Sequence, residues 1–115
     1  MSDDCLFCRI VRRDLDADIV YEDDSVIAFR DIHPQAPVHL LLVPRMHIPT
    51  VSDFREEHAP VLSGLLLAAA KIAVDQGVDQ NGYRVVLNCR EGAGQSVFHV
   101  HAHLLGGRPM AWPPG

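Results

Sequence analysis

The segment His99-Val100-His101-Ala102-His103-Leu104 alternates imidazole with apolar side chain. On a helix the three histidines would point to different faces. On a strand they share one face at a spacing of roughly 6.5–7 Å, while Phe98, Val100, Ala102 and Leu104 turn the other way into a core. The pattern therefore predicts a strand over 98–105 in a sheet with one apolar face and one imidazole face. Three solvated imidazoles make a poor core surface and a good phosphate or metal surface. A three-histidine metal centre competes, but spacing of roughly 7 Å along a strand is awkward for donors held at about 2 Å from one ion. Phosphate chemistry at His101 is the favoured reading. The preceding loop, Gly92-Ala93-Gly94-Gln95-Ser96, fits it. Small residues let backbone N–H groups approach an anion, and Ser96 adds a hydroxyl.

The rest of the chain supplies a sheet and one long helix. Short apolar runs at 19–21, 26–29, 39–43 and 83–88 read as strands, with Glu22-Asp23-Asp24-Ser25 as a hairpin turn. From Pro60, apolar residues recur at Val61, Leu62, Leu65, Leu66, Ala69, Ile72 and Ala73, a helical period. Pro60 suits its first turn and Gly77 its C-terminal end. Residues 5–12 read as a short helix with Leu6, Phe7 and Ile10 on its apolar side. About five strands and one long helix at hairpin spacing indicate an α+β fold with an antiparallel sheet.

At 115 residues the chain is expected to form one domain over 1–115. A net charge of −5 argues against a nucleic-acid coat or an anionic membrane surface as partner. The longest uninterrupted apolar run, 65–70, is far short of the ~20 residues of a membrane span. Met1-Ser2-Asp3-Asp4 is acidic, unlike a signal peptide. Three cysteines, an odd count, do not suggest a secreted disulfide scaffold. The expected compartment is the cytoplasm.

The chain is similar to the histidine triad superfamily, whose pattern is His-φ-His-φ-His-φ-φ with φ apolar. His99 to Leu105 matches it, and Gly106-Gly107-Arg108, Met110 and Trp112-Pro113-Pro114-Gly115 resemble the histidine triad nucleotide-binding branch. Ala28-Phe29-Arg30-Asp31-Ile32, Pro34-Gln35-Ala36-Pro37-Val38-His39 and Gly94-Gln95-Ser96-Val97 extend the resemblance over nearly the whole chain. Members fold as a five-stranded antiparallel sheet with one long and one short helix. They form homodimers with a continuous ten-stranded sheet, and they hydrolyse purine nucleoside 5′-phosphoramidates such as adenylated lysine to a nucleoside monophosphate and an amine. The resemblance implies a purine nucleotide (AMP, GMP or their phosphoramidates) as ligand. It makes His101 the nucleophile, with His99 and His103 flanking the phosphate and His39 helping to orient His101. Ser96 would pass a proton to the departing amine. Asn88, Gly94, Gln95 and Val97 would line the phosphate site, and Asp31 would accept the ribose hydroxyls. Phe29 and Ile32, with Phe7 and Ile19, would form the base pocket. Pro109 and Ala111 depart from residues common in the family, so the tail is expected to tune leaving-group preference.

Cys5-Leu6-Phe7-Cys8 has the spacing of a zinc half-site. A thioredoxin-like redox pair would need a βαβ context that the sequence lacks, and two buried small hydrophobes in a short helix are the simplest alternative. Some histidine triad proteins complete such a site with two histidines, which here match His47 and His99. Two Cys and two His would make a closed structural zinc site. His33, His58 and Cys89 receive no role. Two other functions stay open: a dinucleoside polyphosphate hydrolase, against which the residues after the triad speak, and a non-catalytic nucleotide-binding or scaffold protein.

Overall fold

The computed structural model describes residues 4–115. Met1, Ser2 and Asp3, part of the acidic start read as unlike a signal peptide, lie outside the described residues. A short helix α1 (Leu6–Val11) leads to a hairpin of β1 (Ile19–Glu22) and β2 (Val26–Arg30). Strand β3 (Val38–Pro44) follows, then the long helix α2 (Ala59–Asp75), β4 (Tyr83–Val86) and β5 (Ala102–Gly106). The strands form one sheet in the order β1-β2-β3-β5-β4, with every neighbouring pair antiparallel. The α+β fold read from the sequence is the observed one.

Strand alternation divides the core between the two faces of the sheet. Val26, Ala28, Leu40, Leu42, Ala102 and Leu104 face α2 and pack on its Leu65, Ala68, Ala69, Ile72 and Ala73. Ile27, Phe29, Leu41 and Val43 face the other way, onto Phe7 and Ile10 of α1. Because both faces are covered, β2 and β3 are apolar almost throughout instead of alternating with polar residues. Register then sets the site. Phe29 pairs with Leu41 and Leu41 with His103, so these three side chains form one row across β2, β3 and β5 on the α1 face. His39 lies one pleat along β3 on the same face, diagonal to His103.

Helix α2 ends as its sequence suggests. Gly77 takes φ +72°, its N–H bonds Val74 O at 3.0 Å, and the N–H of Val78 bonds Ala73 O at 3.0 Å, a Schellman closure. Leu62 and Leu66, which share the helical period read from the sequence, are exposed. The stripe runs through Ala68 and Ala69, whose small side chains let the helix lie close to the sheet. By length and composition the helical run Glu56–Asp75 is apolar enough to cross a membrane. The count of uninterrupted apolar residues misses this because Ser63, Gly64 and Lys71 break the run without making it polar.

The histidine segment departs most from expectation. The ladder begins only at Ala102, not at Phe98. Before it, the N–H of Val100 bonds Ile48 O at 2.7 Å, so residues 98–101 pack on the loop after β3 instead of continuing along the strand. Val100, Ala102 and Leu104 are buried as expected, but Phe98 is 40% exposed. Strand β4 likewise stops at Val86, two residues short of Asn88.

Candidate active site

His101 and His103 border a cavity of about 550 Å³ between the sheet and α1. The histidines are not a row of solvated imidazoles: His99 is 0% and His101 7% exposed, and His103 is half-buried. The His101 and His103 rings stay together at the cavity, their centroids 5.1 Å apart, whereas His99 turns toward the cysteines.

Hydrogen bonds define what each ring offers. His101 Nδ1 lies 2.8 Å from the carbonyl oxygen of His99. A carbonyl only accepts, so Nδ1 carries the proton and the neutral ring has its unshared pair on Nε2. Burial lowers the pKa of His101 below the usual 6.5, opposed by that hydrogen bond and by Asp31. The ring is therefore neutral at pH 7. Phe7 packs edge-on against it with ring centroids 5.0 Å apart.

His103 is set by a relay. The N–H of Gln35 donates to His39 Nδ1 at 3.0 Å, which puts the His39 proton on Nε2. His39 Nε2 then donates to His103 Nδ1 at 2.9 Å, with Asp31 Oδ2 at 3.4 Å. His103 consequently carries its proton on Nε2. Burial, reinforced by the neighbouring His101 and His39, pushes its pKa down to about 4. Asp31, His39 and His103 are close enough to share a metal ion, but the shared proton already joins the two rings. The expected contact of His39 with His101 is replaced by this one to His103. The orientation of His101 comes from its own main chain.

The cavity wall is mostly apolar. Phe7, Phe29, Ile32 and Val97 belong to it, together with Leu6, Ile10, Leu15 and Leu41. Ile32 stands at the rim, 86% exposed. Ile19 packs in the cluster beneath and is not part of the wall. Asp31 and Ser96 add polar atoms to the wall. Asp31 Oδ1 also accepts the N–H of His33 at 2.7 Å, so the residue shapes its turn as well as facing the cavity. Leu6 and Ile10 lie on the apolar side read for α1. Leu15 and Leu41 carried no local signal and are brought in by the loop after α1 and by the register of β3.

The Gly-rich loop is braced differently from expectation. Gln95 is buried, and its amide accepts from Arg90 N at 2.7 Å and donates to Pro49 O at 2.8 Å and Val97 O at 3.0 Å. The backbone N–H groups of Ala93, Gly94 and Gln95 are spent on Arg90 and Glu91 carbonyls. Gly94 takes φ +92°, which a side chain would strain. Asn88, Gly94 and Gln95 lie outside the cavity wall, whereas Ser96 and Val97 belong to it.

Behind His101 the second cluster assembles. Cys5 Sγ and Cys8 Sγ lie 3.4 and 3.5 Å from His99 Nδ1, His47 Nδ1 lies 3.3 Å from Cys8 Sγ, and the two Nδ1 atoms are 3.2 Å apart. His99 Nε2 donates to Pro44 O at 2.8 Å, which leaves its Nδ1 pair facing the sulfurs. Bonds of ~2.3 Å to sulfur and ~2.0 Å to nitrogen give tetrahedral edges of about 3.3 Å between nitrogens and about 3.5 Å between nitrogen and sulfur. The observed separations match, so these four residues can hold a metal ion. Without a cation, burial and the neighbouring Cys5 push the Cys8 thiol up to about 11.

Comparison with known proteins agrees with this geometry. The model of the HIT domain family matches residues 12–110. The chain belongs to the HIT family. A purine nucleoside phosphoramidase of Escherichia coli K12 is 49% identical over 110 residues, which are 96% of this chain and 92% of that protein. The crystal structure of a HIT family hydrolase from Legionella pneumophila superposes with a TM-score of 0.96 at 48% identity, covering 97% of this chain and 100% of the other. A HIT family hydrolase from Clostridium thermocellum gives a TM-score of 0.93 at 47% identity, covering 96% of each chain.

Proposed function

We propose that this HIT protein is a purine nucleoside phosphoramidase of the histidine triad nucleotide-binding branch. The observation that carries the reading is the His101 tautomer. Its Nδ1–H is committed to the His99 carbonyl, so Nε2 is an uncharged nucleophile at the edge of a nucleoside-sized cavity. The 49% identity to the Escherichia coli enzyme supports the substrate class.

The mechanism follows from the ring assignments. His101 Nε2 attacks the α-phosphorus, a P–N bond to the ring forms, and the substrate's P–N bond breaks. Ser96 gives its hydroxyl proton to the departing amine as general acid. Water then attacks the nucleotidyl-histidine, frees His101 Nε2 and returns a proton to Ser96. The Nε2–H of His103 donates to a phosphate oxygen and stabilises charge as it builds. Asp31 accepts from the ribose hydroxyls. Phe7, Phe29, Ile32 and Val97 hold the base by apolar contact, which favours a large planar purine over a small base. Gln95, Gly94 and Asn88 act on the phosphate site through the shape of the loop.

The metal is read as a structural zinc, since two thiolates and two imidazoles in a tetrahedral set suit that ion. When bound it supplies cross-linking between α1, the loop after β3 and the segment before β5. Cys5, Cys8 and Cys89 form no disulfide, which suits a reducing, cytoplasmic compartment. We also read the protein as a homodimer, because α2 exposes Leu66, Leu67 and Val74 and, among the described residues, β4 pairs on one side only.

The deciding experiment measures hydrolysis of an adenosine 5′-phosphoramidate bearing a fluorescent amine. His101→Ala should lower turnover by about a thousandfold or more while still binding AMP. Undiminished turnover in that variant removes His101 as nucleophile. A wild type that cleaves only dinucleoside polyphosphates, or that binds nucleotide without turnover, overturns the substrate assignment.

A further inference from the structure

The turn after β5 is built to approach the loop that sets the His39 proton. Gly106 closes β5 opposite Val38, the first residue of β3. Gly107 then takes φ +89°, and a Cβ there would lie 2.9 Å from Pro37 Cβ, so glycine alone lets the two chains pass this closely. The turn delivers Arg108 to the loop. Its Nε donates to the carbonyl oxygen of Gln35 at 2.9 Å and its Nη1 to that of Pro109 at 3.0 Å. The planar guanidinium thus bridges tail and loop with N–H groups in fixed directions.

Gln35 is the residue whose N–H donates to His39 Nδ1 at 3.0 Å. Its side-chain amide turns back to His33 O at 3.1 Å, and the N–H of His33 goes to Asp31 Oδ1 at 2.7 Å. Both of those bonds stay inside the loop. Pro34 and Pro37 have no N–H to give. Among the described residues, hydrogen bonds tie the middle of the loop to the rest of the fold at the two main-chain groups of Gln35, its N–H to His39 and its carbonyl from Arg108. Gln35 is exposed, so water competes for its N–H as soon as the backbone turns.

From this we infer that Arg108 is a positioning residue: by holding the Gln35 carbonyl it keeps the Gln35 N–H on His39 Nδ1, and so sets which nitrogen of His103 offers a proton to the phosphate. The inference rests on the phosphoramidase reading for its kinetic consequence. While His39 Nδ1 accepts, its proton sits on Nε2, and His103 carries its own on Nε2. When the Gln35 N–H swings away, His39 Nδ1 is free to take the proton. His39 Nε2 then becomes an acceptor, and the bond to His103 Nδ1 reverses. A lone pair on His103 Nε2 meets the phosphate oxygen where a donor stood. Asp31 Oδ2, 3.4 Å from His39 Nε2, opposes the reversal, but at a length too great for a strong bond. Loss of Arg108 therefore mixes the two arrangements instead of exchanging one for the other.

The test uses full-length protein in which histidine rings are labelled with nitrogen-15, whose shifts report which ring nitrogen bears the proton. The signals of His39 and His103 are assigned by their loss in His39→Gln and His103→Gln. Wild type is compared with Arg108→Met, which keeps the stem and removes the donors, and with Arg108→Lys, which keeps one donor. Wild type should show the Nε2–H tautomer alone at both rings. Arg108→Met should show both rings as mixtures and lose about tenfold in kcat for the phosphoramidate, with KM changed by less than about twofold because Phe29 and Val97 still hold the base. Arg108→Lys should recover most of both. A merely structural Arg108 would lower the melting temperature of Arg108→Met and leave each ring in one tautomer. If Arg108→Met does not fold, Arg108→Gln takes its place and is read in the same way. The Nε2–H tautomer alone at both rings of the folded variant overturns the inference, and so does a wild type whose rings are already mixed. Absence of phosphoramidate turnover in wild type defeats the reaction assignment instead, and the tautomer measurement still decides the role of Arg108.

Discussion

A buried amide, not a catalytic group, holds the loop that carries Ser96. Gln95 makes three hydrogen bonds to main-chain atoms of Arg90, Pro49 and Val97. Gln95→Ala removes the side-chain partner of all three part-buried groups. Losing these bonds costs about 1–3 kcal/mol. The variant should therefore lose several degrees in melting temperature and bind AMP more weakly, because Ser96 and Val97 are no longer held at the wall. A variant with wild-type melting and weakened AMP binding alone would make Gln95 a direct ligand contact. His103 carries a second expectation at this scale. Its pKa falls from 6.5 to about 4 on folding, so the folded state keeps it neutral while the unfolded chain takes up a proton below 6.5. Its contribution is fully present above 6.5 and is lost as pH falls toward about 4. The His39 pKa is also lowered by burial and adds to the same loss. Urea titrations of chelated protein from about pH 7.5 to about pH 4 should show stability declining across this window. The decline should be shallower in His103→Gln. Equal slopes would place the acid sensitivity elsewhere.

Elements were legible where one local period decides them. Helix α2 announces itself by its apolar repeat, its Pro60 and its Gly77, and strands β1 to β3 by apolar runs between turn residues. The histidine segment was legible in its chemistry and not in its extent. Alternation continues through 98–101, but whether a segment with strand-like alternation joins the ladder is settled by its partners. Here Ile48 claims the N–H of Val100. The same tertiary choice turned His99 away from the cavity and toward the cysteines. The roles of Leu15 and Leu41 were invisible because apolar residues look alike until register says which face and which row they occupy. The cluster at α1 gives the expectation for this scale. Zinc added to chelated protein at about 100 times its Kd should stabilise the fold by about 2.7 kcal/mol, roughly 10 °C in melting temperature for a chain of this size. Cys8→Ser should abolish the gain. A zinc-independent melting temperature in the wild type would leave α1 held by Phe7 and Ile10 alone.

For the whole molecule, the open question is what α2 faces on its outer side. Leu66, Leu67 and Val74 are exposed there, Leu67 by 63%. A membrane is a poor answer, even though Glu56–Asp75 is apolar enough by length and composition. To span a bilayer the helix would have to leave the sheet and strip Leu40, Leu42 and Leu104 of their packing against Leu65, Ile72 and Ala73. A second copy needs no such sacrifice. Among the described residues β4 pairs on one side only, and an edge of that kind is a liability that pairing with another chain removes. In the proposed homodimer, β4 would pair with its own copy across a two-fold axis, so that the antiparallel sheet would run on from one protomer to the next and the outer leucines of α2 would pack together beside it. Light scattering should therefore give the wild type twice the mass of one chain at micromolar concentration. Leu67→Asp places a carboxylate in the centre of that apolar contact, where burial without a partner is costly. It should elute as a monomer with its helix content unchanged, since Leu67 is 63% exposed and lies outside the core between α2 and the sheet. A wild type of single-chain mass would leave the leucines without a dimer to cover them and would reopen the choice of partner.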